Sequence, residues 1–185
     1  MAVNIALPGA REVGAQTRLL ELKESPLVFC AGKADESLYP AAGFRLRREG
    51  SHAQGSSLGT PAYHGSGSGG LKHALELRGC QEIEGQLMGV VGVSGGALRA
   101  GKALNSLRPG GRARHAWVVP EQGAMPAAWK AFDAAGPLQA SAWEQREKAV
   151  GRPVARVAWL HTAAHAQEVL RAWEGAPVNP GGSTE

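Results

Sequence analysis

Two glycine-rich stretches hold the side chains with chemistry to offer. Residues 59–70 read GTPAYHGSGSGG and residues 92–96 read GVSGG. In the first, Tyr63 presents a flat ring and His64 a donor or acceptor that titrates near neutral pH. The glycines let main-chain groups come close to a flat ligand. The second fits the GxSxG pattern of a nucleophile elbow, with Ser94 as nucleophile. Asp133 and His161 follow it in the Ser–acid–His order of α/β-hydrolases. Against a hydrolase, the chain is short for that fold and no HGG-type oxyanion loop precedes the serine. A match of this kind also arises by chance where 26 of 185 residues are glycine. The competing chemistry is a cradle, in which backbone amides and a helix N-terminus meet a polar or anionic group. The plainest reading is a strand-to-helix turn with no chemistry.

Other candidates are weaker. Gly65, Gly67 and Gly70 form a GxGxxG. A dinucleotide fingerprint needs an acid after the next strand, whereas Glu82 and Glu84 come before it. His161 and His165 are four apart, but no third ligand is evident, so no metal site is expected. Cys30 and Cys80 lack a metal-ligand spacing and read as inert thiols. Net charge is +4. The arginine runs at 45–48 (RLRR) and 108–114 form no basic stripe with interleaved aromatics, which excludes nucleic acid as the expected partner. No apolar run reaches the length of a membrane span, and the N-terminus lacks the features of a secretory signal. A cytoplasmic protein is the expectation.

The elements that must position these loops are those of an α/β domain. Residues 86–93 (QLMGVVGV) are apolar without alternation, as a parallel strand covered on both faces requires. Residues 97–108 follow as a helix, with Ala97, Ala100, Leu104 and Leu107 on one face. Residues 115–119 (HAWVV) predict a strand closed by Pro120, and residues 17–22 (TRLLEL) another. Residues 44–49 suit a helical turn or two. Ser141 and Glu144 form a capping box that opens a helix to about 150. Gly151 and Pro153 then interrupt, with a new helix to about 173. Strand–loop–helix alternation predicts a parallel sheet, and both glycine-rich loops fall at carboxyl ends of strands, where such sheets bind ligands. One domain over 1–174 and a disordered tail over 175–185 are expected.

Residues 59–77 (GTPAYHGSGSGGLKHALEL) resemble the GTPEYHGSxSGxLKNALD segment of the NAD(P)H-dependent FMN reductase family. Residues 89–108 (GVVGVSGGALRAGKALNSLR) resemble its second flavin loop. The similarity extends over 115–138 and back over 9–40. The resemblance implies a flavodoxin-like three-layer sandwich with a parallel sheet and FMN at its carboxyl edge. It places the flavin ring on Pro61, Tyr63, His64, Gly65 and Ser66, with Ser94, Gly95 and Gly96 beside it. It implies hydride transfer from NAD(P)H through FMN to a small-molecule acceptor such as a quinone, in a homodimer or homotetramer. No catalytic side chain is expected, because the cofactor carries the chemistry. Trp129 and Phe132 fall near the flavin side or a subunit interface in that pattern.

Three departures stand out. Ala62 replaces the family's Glu. GSSLGTP (55–61) replaces an apolar third strand. The family's first strand and its GSLRxxS-type phosphate loop have no counterpart, so the chain reads as starting inside the family's first helix. Residues 2–7 (AVNIAL) cannot supply that strand. Only nine residues separate Leu7 from Thr17, and a parallel crossover needs a dozen or more. Residues 108–111 (RPGG) interrupt what the family carries as continuous helix. The alternative to the enzyme is therefore a flavodoxin-like binding or oligomerisation protein without cofactor.

Overall fold

A computed structural model describes residues 2–25, 27–30, 32, 41–79, 82–97, 100–132, 141–164 and 166–168. Three parallel strands form one sheet in the order β1-β2-β3. They are β1 (Gly55–Pro61), β2 (Leu87–Val93) and β3 (Trp117–Met125). Gly55 pairs with Leu87 and Pro61 with Val93. Leu87 also pairs with Trp117 and Val93 with Met125, so the three carboxyl ends lie side by side.

Helices cover both faces of this sheet. Successive residues of β2 point to opposite sides. Met88 and Val90 join Leu58 of β1, Leu71 and Leu75 of α3 (Gly69–Glu76), and Leu104 and Leu107 of α4 (Gly101–Arg112). Val91, on the other face, packs with Ala2 and Ala6 of α1 (Ala2–Arg11) and Val150 of α6 (Ser141–His161). Leu87 packs there with Val154 and Ala158 of α6. The result is the three-layer α/β architecture expected of a flavodoxin-like fold. β2 is apolar throughout because both of its faces are buried. The serines of β1 are tolerated because this strand lies at the border of the sheet. Ser57 is half-buried, and the Ser56 hydroxyl donates to the Gln86 side-chain oxygen at 3.1 Å.

Several elements differ from expectation. The helix over 44–49 is longer, as α2 (Ala41–Ser51). The strand expected over 17–22 does not form. The segment has no regular structure before a 3₁₀ turn at Leu22–Glu24. A strand needs a hydrogen-bonded neighbour, and residues 16–22 instead line one wall of a cleft of about 2070 Å³ whose other wall is β1. Residues 2–7 belong to α1, and the described residues hold no strand ahead of β1. α6 is one helix through Gly151 and Pro153, and α4 runs through Pro109 to Arg112. Each proline forfeits one helical hydrogen bond. Gly151 is held in α6 because α1 crosses it there. A Cβ on Gly151 would overlap the Ala6 carbonyl, and one on Gly9 would overlap the Lys148 carbonyl. β3 continues past Pro120 to Met125, with an irregularity opposite Gly89 where Met88 pairs Val118 but Val90 pairs Gln122. Proline sits readily in such a bulge, where it owes the ladder no donor.

Asp133, Cys80, His165, Trp173 and the tail over 175–185 lie outside the described residues. No helix among the described residues is long and apolar enough to cross a membrane.

Candidate functional site

Three loops meet at the carboxyl rim: residues 62–68 after β1, 94–97 after β2 and 126–132 around α5 (Ala128–Ala131). The parallel ladder carries each loop outward in register. The Ala62 amide donates to the Val93 carbonyl at 2.8 Å, and the Ser94 amide to the Met125 carbonyl at 2.9 Å.

The first loop is a rigid hairpin. The amides and carbonyls of Tyr63 and Ser66 exchange two hydrogen bonds of 2.9 Å around the pair His64-Gly65. Both central residues have positive φ, 49° at His64 and 82° at Gly65. A tight primed turn requires that conformation at both positions. Glycine takes it freely, and histidine is among the side chains that tolerate it. Thr60 closes the base, because its hydroxyl accepts from the Ser68 amide at 2.8 Å. Ser68 in turn caps α3 by accepting from the Leu71 amide at 3.3 Å. The tip is tied to α4 through Ser66 and Ser106, whose hydroxyl oxygens are 3.1 Å apart. Tyr63 is left 59 % exposed above this frame.

The second loop is clamped by the third. Ala128 N–H donates to Ser94 O at 2.9 Å, and Ala127 N–H to Gly96 O at 3.1 Å. The indole Nε1–H of Trp129 donates to Gly95 O at 3.3 Å. Three successive carbonyls therefore turn toward residues 127–129. In a trans peptide the carbonyl and the following N–H point in opposite directions. With no cis bond present, the amides of Gly95, Gly96 and Ala97 are directed away from the clamp. Among the described residues, a Cβ added at Gly95 or Gly96 would touch nothing within 4 Å, and the same holds for Gly69 and Gly70 at the start of α3. The rim thus offers a fan of main-chain donors, a bare glycine surface and the exposed rings of Tyr63 and Trp129. The amino ends of α3 and α4 also lie at this rim, where their dipoles favour negative charge.

The structure brings Pro61, Tyr63, His64, Gly65 and Ser66 together on the first loop, and Ser94, Gly95 and Gly96 on the neighbouring one. It separates the hydrolase residues. The His161 ring lies 5.5 Å from that of Trp117, at the amino end of β3. Ser94 follows the carboxyl end of β2. At the usual rise per strand residue, β2 holds the two ends roughly 20 Å apart, so no Ser–His contact exists. The Ser94 hydroxyl instead donates to Gly96 O at 3.1 Å, which shapes the loop. The GxSxG match is thus a turn feature, and the serine hydrolase is overturned.

The described residues hold no cluster of three metal-ligating side chains. Arginines from both runs are engaged within the protein. Arg45 pairs with Glu49 at 2.9 Å and holds that carboxyl below its ordinary range, and Arg108 donates to Val119 O at 2.8 Å. Sequence reasoning placed Trp129 near the site but missed the clamp of residues 127–129. Its donors are largely main-chain groups, which leave no pattern of residue types.

A family model for NADPH-dependent FMN reductase matches residues 1–130. The NADPH-dependent FMN reductase ArsH of Shigella flexneri is 29 % identical over 151 residues, 79 % of this chain and 57 % of that protein. The chain thus spans little more than half the length of that relative. An oxidoreductase of Corynebacterium diphtheriae superimposes with a TM-score of 0.66 at 18 % identity, over 86 % of each chain. FerB of Paracoccus denitrificans, a flavoenzyme NAD(P)H:(acceptor) oxidoreductase, does so at 0.65 and 19 %, over 86 % of this chain and 90 % of FerB. At such identities these structures bear on the fold alone.

Proposed function

The chain belongs to the NADPH-dependent FMN reductase family, and on that premise we propose that its carboxyl rim holds FMN and that the protein is an NAD(P)H-dependent oxidoreductase. The observation that carries the reading is the fan of amides at Gly95, Gly96 and Ala97 beside a bare glycine surface. A flavin ring is flat, with a row of hydrogen-bond acceptors along one edge, and this rim answers both properties. Bound FMN would supply the redox chemistry, taking two electrons from the nicotinamide and passing them to an acceptor.

The chain's own residues bind and orient. The three amides hold the acceptor edge without reorganising. Their carbonyls are already committed to residues 127–129. Pro61 and the hairpin of Tyr63, His64, Gly65 and Ser66 give a stiff floor, and the Tyr63 ring shields one side from water. Ser94 fixes the turn through Gly96 O. No described side chain is needed to move a proton.

The finer assignments belong to the same proposal. The acceptor is a small quinone-like or flavin molecule, and the protein is cytoplasmic and a single domain over 1–174. It works as a homodimer or homotetramer. Trp117, Trp159 and Leu160 are exposed by 48 %, 74 % and 55 % near the amino end of the sheet. Exposed apolar side chains of this size suit contact with a second copy.

The test is reduction in the absence of air. The protein is saturated with FMN, gel-filtered and mixed with NADPH. The visible flavin band is expected to bleach and to return when a quinone is added. A protein that carries FMN through the column yet stays oxidised with both NADPH and NADH would defeat the enzyme reading.

A further inference from the structure

We propose that Trp129 is a positioning residue whose indole N–H sets the direction of the Gly95–Gly96 peptide and so aims the Gly96 amide at the ligand. This rests on the flavin-site reading and goes beyond it, since it assigns a role to a side chain outside both glycine-rich loops. The Gly95–Gly96 pair has no side chain to hold it. Among the described residues nothing lies within 4 Å of either Cβ position, so no described packing restrains the peptide. A Gly-Gly unit left alone would sample both signs of φ. Its orientation is therefore set by the carbonyls it commits, and the Gly95 carbonyl accepts from Trp129 Nε1–H at 3.3 Å.

The indole is itself held in place. Trp129 sits in the first turn of α5, just after Ala127 and Ala128, and the left-handed backbone of Ala127 (φ 44°) turns the chain back over the second loop. The Ala127 and Ala128 amides bind the flanking carbonyls of Gly96 and Ser94. Lys130 Nζ lies 4.9 Å from the indole ring centre. That cation–π arrangement further restricts the ring. Yet the side chain is 69 % exposed, so it contributes little to the core. An exposed tryptophan tied to a glycine carbonyl at a ligand rim has pre-organisation as its use.

The experiment compares Trp129→Phe, which keeps a ring but loses the donor, with Trp129→Gln, which keeps an N–H donor without the ring. Three quantities are read: the FMN dissociation constant, the amide resonance of Gly96 in the apo protein, and the thermal midpoint. Trp129→Phe is expected to weaken FMN binding about 3- to 10-fold, the range of one net hydrogen bond. It is also expected to shift and broaden the Gly96 amide signal and to leave the midpoint nearly unchanged. Trp129→Gln is expected to recover part of both losses. An unchanged Gly96 resonance, or FMN binding equal to wild type in Trp129→Phe, overturns the proposal. If the wild-type protein itself takes up no FMN, the flavin reading fails. The Gly96 resonance then still decides whether Trp129 orients the peptide.

Discussion

Replacing Gly151 by alanine is expected to cost about 3 kcal/mol of stability, the upper range for overpacking a tight interior. In most helices the same change is favourable, because glycine is roughly 1 kcal/mol worse than alanine as a helix former. The sign reverses here because α1 and α6 cross with their backbones nearly touching. The added Cβ would overlap the carbonyl oxygen of Ala6, and that oxygen belongs to the main chain of a second helix. It cannot rotate away as a side chain would. The helices must separate, and Ala2 and Ala6 then lose their seat against Val91 and Val150. For a domain of this size the midpoint should fall by roughly 10 °C. Gly110→Ala is the internal control. That glycine is also helical, but nothing among the described residues lies within 4 Å of its Cβ position. A gain of about 0.5–1 kcal/mol is expected there. Equal effects at the two sites in thermal or urea denaturation would refute the close crossing.

The second large effect concerns Glu147. This residue of α6 is wholly buried, and neither carboxylate oxygen has a hydrogen-bond partner among the described residues. It sits against Gly123 of β3, where any side chain would collide with the carboxylate. Burial disfavours the charged form, only weakly opposed by the neighbouring Arg146, and pushes the group up from 4.5 to about 7. Between those two values the folded protein holds a proton that the unfolded chain releases. Stability from this group falls as pH rises through that window and is flat above it. At about 1.36 kcal/mol per pKa unit the loss is on the order of 3 kcal/mol. Glu147→Gln, which keeps the shape and removes the charge, should abolish that slope and raise stability above pH 7. Glu147→Leu should raise it at every pH, since it also removes the unpaired polar atoms. Denaturation at pH 5 and pH 8 reads both effects. A wild-type protein whose stability rises over that interval by as much as the Glu147→Gln variant's would contradict the assignment.

What could be read in the residues depended on whether side chains or main chain did the work. β2 was legible because LMGVVGV can be buried on both faces only in a covered parallel strand. The two glycine-rich loops were legible because so many glycines in a strand-to-helix turn need a reason. Prolines misled. Pro109, Pro120 and Pro153 read as stops, yet α4 and α6 pass through two of them and β3 absorbs the third at a bulge. Packing against the sheet outweighs one missing hydrogen bond. Residues 17–22 carry the composition of a strand but stand across a cleft from β1 without pairing to it, which no local pattern reports. The GxSxG match failed for a related reason. The order of Ser94 and His161 along the chain says nothing of the strand length that separates them. Glu147 hid as a charge on an amphipathic helix. Yet Glu147, Val150, Val154 and Ala158 follow one another at helical spacing. That repeat already placed the carboxylate on the buried face. The clamp of Ala127 and Ala128 on the second loop stayed invisible because backbone donors are common to every residue type but proline.

The central claim is that a flavin is held by main-chain donors of the second loop over the hairpin of the first. The most direct measurement is amide hydrogen exchange with and without saturating FMN. The account predicts slowed exchange concentrated at residues 62–68 and 94–97, with the strongest effect at Gly95, Gly96 and Ala97. Protection centred instead on residues 16–22 and 55–60, along the cleft beside β1, would contradict it, as would an exchange pattern indifferent to FMN.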